Sequence, residues 1–190
     1  MKKLITMVVV LAMLMTMSTT VFAADPVPEA VVTGGTLANT ELGIAAFTPV
    51  TLDGTTTTTA AVVADTILTD SRGLGDGWQV SLKASPFINA TTSAAVGADL
   101  TLPGSSLELG TVSIAIIDAG STAATNITKA TLGKLDTEFG INILSAPLNE
   151  GMGTYTVSME PMTLTLLPKS TYAGTYSSTV TETLTTGPVA

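Results

Sequence analysis

From Trp78 to Ala84 large apolar and polar residues alternate, so a strand there turns Trp78, Val80, Leu82 and Ala84 to one face. The same period of two runs through Thr154–Met159, Met162–Leu166 and Thr175–Leu184, with Pro161, Pro168-Lys169-Ser170 and Ala173-Gly174 interrupting it. Upstream, Leu42–Phe47 and Val50–Leu52 read as strand kinked before Pro49. Asp53-Gly54 and the five threonines Thr55–Thr59 read as a hairpin-like connection, and the apolar run Ala61–Leu68 reads as strand. Asp99–Leu102 and Thr111–Ile117 add two strands, separated by a Pro103-Gly104 turn and a Ser-rich link. A polar, small-residue stretch from 118 to 135 follows before extended structure resumes at Phe139–Ile143. Many short strands with turn signals between them, and no amphipathic helix, predict an all-β fold: an antiparallel immunoglobulin-like β-sandwich or a closely related barrel.

The amino-terminal segment follows another rule. Lys2 and Lys3 precede an apolar core from about Leu4 to Met17, and the small-residue site Val21-Phe22-Ala23 closes it. This is the pattern of a secretory signal peptide over residues 1–23. The apolar run is broken by Thr16, Ser18, Thr19 and Thr20 and is shorter than the ~20 residues that span a bilayer, so no membrane span is expected in the mature chain. Residues 24–40, with Pro26, Pro28, Gly34 and Gly35, read as a flexible arm, and residues 41–190 as one β-sandwich domain.

Composition narrows the chemistry. The 190 residues include no Cys and no His, which removes disulfide scaffolds, Cys/His zinc sites and every nucleophilic mechanism built on a His base. Thr contributes 36 residues, a density of β-branched side chains that favours extended backbone. Without residues 1–23 the chain carries five basic and fifteen acidic side chains, a formal charge of −10, which argues against nucleic acid as a partner. No G-x-S-x-G elbow is present, and Glu150, Glu160 and Glu182 form no assignable catalytic pair, so an enzyme is not expected and no cofactor is implied.

Two features remain as candidate sites. Asp70-Ser71-Arg72-Gly73-Leu74-Gly75-Asp76-Gly77 places two carboxylates, a guanidinium and three glycines in eight residues. Oxygen ligands suit calcium, but the spacing is not that of an EF-hand loop; the simpler expectation is that Arg72 pairs with a neighbouring carboxylate and fixes the turn, with no metal. Asp70, Arg72, Gly73, Gly75, Asp76 and Gly77 are therefore structural-loop candidates. Trp78, the only Trp, serves equally to seal a core or to offer a flat face to a sugar ring, and Tyr155, Tyr172 and Tyr176 divide in the same way. Leu167-Pro168-Lys169-Ser170-Thr171 is superficially similar to a sortase signal, but it lacks the final Gly and precedes strand-like sequence, so covalent anchoring is not expected.

Three stretches together resemble the WxL domain of Gram-positive surface proteins: Asp70–Val80, which leads into a Trp-x-hydrophobic element; Phe87 shortly after that strand; and the closing run Ala173–Pro188. The resemblance covers about Leu37 to Pro188. It departs in two places, with Val80 where the first motif usually has Leu, and Glu182-Thr183-Leu184 where the second would begin with Trp. What it implies is a secreted, extracellular, cell-wall-associated and non-enzymatic protein that holds peptidoglycan or another wall polymer non-covalently. Trp78, Val80, Tyr176 and Leu184 are the implied contacts, and other surface proteins are further partners. The alternative is a structural subunit of a surface layer or filament, suggested by the Thr-rich, small-residue composition and by an arm able to complete another sheet.

Overall fold

A computed structural model describes residues 29–89 and 100–187. The chain forms two units, residues 1–33 and residues 34–190. In the first, residues 29–33 have no regular secondary structure, and the expected signal peptide lies outside the described residues, as do residues 24–28 of the expected arm.

Fifteen strands, β1 to β15 in chain order, form four antiparallel sheets among the described residues. The first sheet orders β1 (Leu37–Asn39), β3 (Thr66–Asp70), β12 (Gly153–Met159) and β8 (Val112–Ile116). The second orders β10 (Gly133–Lys134), β7 (Leu107–Leu109), β13 (Met162–Leu166) and β2 (Thr57–Ala61). The third orders β15 (Val180–Thr186), β4 (Trp78–Ala84), β11 (Ile141–Ala146) and β9 (Thr128–Lys129). A small fourth sheet orders β14 (Tyr176–Ser177), β5 (Ile88–Asn89) and β6 (Leu100–Thr101). Among the described residues one three-residue 3-10 turn, Ala124–Asn126, interrupts the all-β pattern. The architecture is an immunoglobulin-like sandwich.

The core is assembled by the alternation itself. Trp78, Val80, Leu82 and Ala84 of β4, Tyr155, Val157 and Met159 of β12, and Met162, Leu164 and Leu166 of β13 all point inward and are buried. Each fully buried large apolar side chain contributes about 1.5–3 kcal/mol relative to an exposed one, enough for a domain of this size to do without disulfides. β4 is paired on both edges, with β15 and with β11, which makes it the central strand of its sheet.

Several segments differ from the sequence expectation; the expected strands Ala61–Leu68 and Thr175–Leu184 are each divided, the first between β2 and β3 and the second between β14 and β15. Of the expected hairpin-like connection Asp53–Thr59, the last three threonines belong to strand β2, which is paired along its length with β13; Thr is amphiphilic enough to face either way, so a Thr run shows no contrast between faces. Leu42–Leu52 forms no named strand. It lies beside β2 through irregular bonds such as Ala45 N–H to Val62 O and Thr48 N–H to Ala60 O, and Ala45-Ala46 and Pro49 break its pattern. At the end of the expected arm, Leu37–Asn39 is strand β1: Gly35 N–H donates to Ser71 O and Thr36 N–H to Ser71 Oγ, tying the segment to β3. In β11 a bulge between Asn142 and Leu144 sends two consecutive residues, Ile143 and Leu144, into the core, which erases the alternation there. Of the expected strand Asp99–Leu102, Asp99 lies outside the described residues and Leu100–Thr101 is β6.

Candidate functional site

Trp78 opens β4 at the end of the glycine-rich loop, and the loop is what seats it. Arg72 binds Asp70 through two parallel bonds, Nε to Oδ1 at 2.9 Å and Nη2 to Oδ2 at 2.8 Å, and Nη2 also donates to Gly77 O at 2.9 Å. Burial alone would push the Asp70 carboxyl up, but the Arg72 hydrogen bonds and charge outweigh it and hold the group below its ordinary value. The same bonds, with help from the charge of exposed Asp76, hold the Arg72 guanidinium above its own. Gly73, Gly75 and Gly77 all take positive φ, 69°, 69° and 72°. At Gly77 the need is absolute, because a Cβ would collide with the carbonyl oxygen of Ala146. Gly75 O accepts from Asn149 N–H at 2.7 Å and Gly77 O from Gly187 N–H at 3.1 Å, so the loop is tied to both neighbours of β4.

The indole itself is sealed. Trp78 has 0% exposure, its Nε1–H donates to Gly151 O at 2.9 Å, and its ring sits at 58° to that of Tyr155, with centroids 6.4 Å apart. Gly151, at φ +78°, is the second position where only glycine serves: a Cβ would collide with the indole nitrogen and with Ala146 Cβ. The Tyr155 hydroxyl lies 2.6 Å from Thr122 Oγ1 and 2.9 Å from Met152 O, and burial pushes its pKa above the ordinary value.

The two Trp-x-hydrophobic positions meet across one strand pair. Val80 on β4 stands opposite Leu184 on β15, Trp78 opposite Thr186, and Leu82 opposite Glu182. Val80 is 1% exposed and Leu184 half-buried, so Trp78 and Val80 present no face to a polymer in this structure. Glu182 points inward, where Asn39 Nδ2 of β1 donates to its Oε1 at 2.6 Å. Burial raises its pKa, with the Asn39 bond pulling the other way. Asn39 Oδ1 is buried without a partner.

Tyr176, the fourth implied contact, is not part of this junction. It lies on β14 opposite Asn89, beyond the far end of β4, and a seven-residue strand is about 20 Å long. There it shares a groove with Phe47, Phe87 and Tyr172, and its hydroxyl accepts from Tyr172 N–H at 3.0 Å. Sequence reasoning found the Trp78 loop and its Arg72 pairing. It missed Gly151, Asn39 and the groove, whose walls come from residues 47–52 and 171–176 and which no local motif marks.

Among the described residues no cluster of three or more acidic side chains could hold a metal ion, and no helix is long and apolar enough to cross a membrane. No curated protein and no solved structure matches the chain. Residues 38–188 match a family model described as WxL domain surface cell wall-binding.

Proposed function

Because the chain belongs to the WxL domain family, a family of non-catalytic surface domains that bind the cell wall, we propose that its motif strands hold the binding surface in shape and do not themselves touch the polymer. The protein is a secreted, wall-associated surface protein whose partner is wall polymer held without a covalent link. The observation that carries the proposal is the indole of Trp78: with no exposed surface and its one donor bonded to Gly151 O, it stacks on a sugar only after the core opens. Val80 shares that burial, and Leu184 packs against the core from the neighbouring strand. Of the four implied contacts, Tyr176 is the one set in an open groove.

Cosedimentation with purified peptidoglycan tests this. Wild type should bind saturably, and Trp78→Ala should lose binding only in proportion to the folded fraction seen by near-ultraviolet circular dichroism. A fully folded Trp78→Ala that no longer binds would make the indole a contact and overturn the proposal. The expected charge of −10 for residues 24–190 adds a second check. Raising salt from about 0.01 M to 0.15 M shortens the screening length from about 30 Å to 8 Å. An anionic wall then repels the protein less, and binding should hold or strengthen.

A further inference from the structure

The open groove at the Tyr176 end encloses about 650 Å³. Phe47, Leu52, Tyr172 and Tyr176 line it, together with the buried Phe87. A second depression of about 670 Å³ continues from it and shares Phe47, Phe87 and Tyr176. Phe47 and Phe87 pack edge to face, centroids 5.8 Å apart at 77°, so the ring positions at the junction are set before anything binds. Tyr172, by contrast, is 46% exposed.

Two properties say what fits there. First, among the described residues neither depression is lined by an Asp, Glu, Lys or Arg, on a protein whose formal charge is −8 over the whole chain. A phosphate-rich polymer would find no cation in it, and a cationic peptide no anion; an uncharged chain matches the lining. Second, Thr171 lines the groove with 9% exposure, and its hydroxyl has no hydrogen-bond partner. A buried hydroxyl left unpaired is costly and asks for an explanation. Aromatic rings beside an unpaired hydroxyl complement a pyranose, which has an apolar C–H face and a rim of hydroxyl and amide groups.

Resting on the wall-binding reading above, we infer that this groove is a glycan subsite, taking the uncharged N-acetylhexosamine stretch of the peptidoglycan glycan strand. A sugar ring lies on Tyr172, with Tyr176 and Phe47 flanking it, and a turn of the Thr171 side chain gives its hydroxyl a partner on the sugar rim. The continuous second depression lets the strand run on past Tyr176.

The test is a nuclear magnetic resonance titration of the secreted protein with tetra-N-acetylchitotetraose. The expected result is saturable shifts at the Tyr172, Tyr176 and Phe87 ring signals. Tyr172→Ala should weaken binding about tenfold with wild-type melting temperature, and Thr171→Val a few fold with a melting temperature at or above that of wild type. Absence of shifts in the groove overturns the inference, as does unchanged affinity in Tyr172→Ala. Equal groove shifts with poly(glycerol phosphate) would replace the glycan by an anionic polymer, and self-association of the wild type that Tyr172→Ala abolishes in ultracentrifugation would make the groove a contact between copies; either overturns it. Sedimentation with peptidoglycan separates this inference from wall binding itself. If Tyr172→Ala sediments like wild type the groove reading falls and attachment stands; if wild type fails to sediment while the oligosaccharide fills the groove, attachment falls and the subsite stands.

Discussion

At the Trp78 end of β4 the indole N–H, the Tyr155 hydroxyl and the Asp70 carboxylate all have protein partners, and three glycines with positive φ close the loop over them. Beyond the other end of the same strand, Thr171 keeps an unpaired hydroxyl beside an exposed tyrosine ring, in a groove with open space and, among the described residues, no charged side chain. A polar group satisfied within the fold stabilises it and has nothing left to offer a ligand, whereas one left unsatisfied costs stability until a ligand arrives. The most recognisable residues of the chain therefore belong to the half that holds the fold, and the half able to bind is made of ordinary Phe, Tyr and Thr.

This contrast can be broken by mutation, and the largest expected effect is at Trp78. Trp78→Ala should destabilise the domain by about 3–5 kcal/mol in urea denaturation, the cost of a large core cavity. A loss under about 1 kcal/mol would mean that the indole is not a core element. Next comes Arg72→Ala, expected to cost about 3 kcal/mol because it leaves the Asp70 carboxylate, 1% exposed, without its counter-charge and with only the backbone N–H of residue 72 as a partner. Asp70 also sets an acid limit. Its folded pKa is depressed, so its contribution is present above the unfolded value of about 4 and is lost as pH falls through the lower folded value. Denaturation midpoints of wild type should drop in that range, and those of Asp70→Asn should not show that drop.

Glu182 carries the opposite sign. Its folded pKa is raised, so its favourable contribution is present below the unfolded value and is lost as pH rises through the folded one. Glu182→Gln should remove that slope and stabilise the neutral-pH protein by about 1 kcal/mol, since a glutamine amide can return a bond to Asn39 Oδ1. A destabilised variant, or one with the wild-type slope, would show that the Asn39 bond needs the carboxylate. The smallest effect belongs to the groove: Tyr172→Ala should change unfolding free energy by no more than about 0.5 kcal/mol. A larger loss would move Tyr172 to the structural side of the comparison.

What was legible in the sequence follows the same division. β4 shows itself because a strand buried on one face alternates Trp, Val, Leu and Ala with polar residues, and the Arg72–Asp70 pair because both partners lie within three residues. Strands β1 and β2 were hidden, one by a Gly- and Pro-containing approach and the other by threonines that look alike on both faces. β11 was blurred by its bulge at Ile143. The groove left no trace, because its banks are more than a hundred residues apart and only folding brings Phe47 to Tyr176. The Asn39–Glu182 bond, spanning 143 positions, was invisible for the same reason.

The pairing of β4 with β15 also has a consequence in time. A chain emerging amino-terminus first presents Trp78–Ala84 about a hundred residues before Val180–Thr186, so one edge of the central strand waits open until the final segment arrives. Contacts of such long sequence separation form slowly, over milliseconds to seconds, and an unpaired strand edge sticks to others of its kind meanwhile. The threonines at 181, 183 and 185 face outward on β15, so the segment that closes this edge carries a polar outer face and turns Val180 and Leu184 to the inner one.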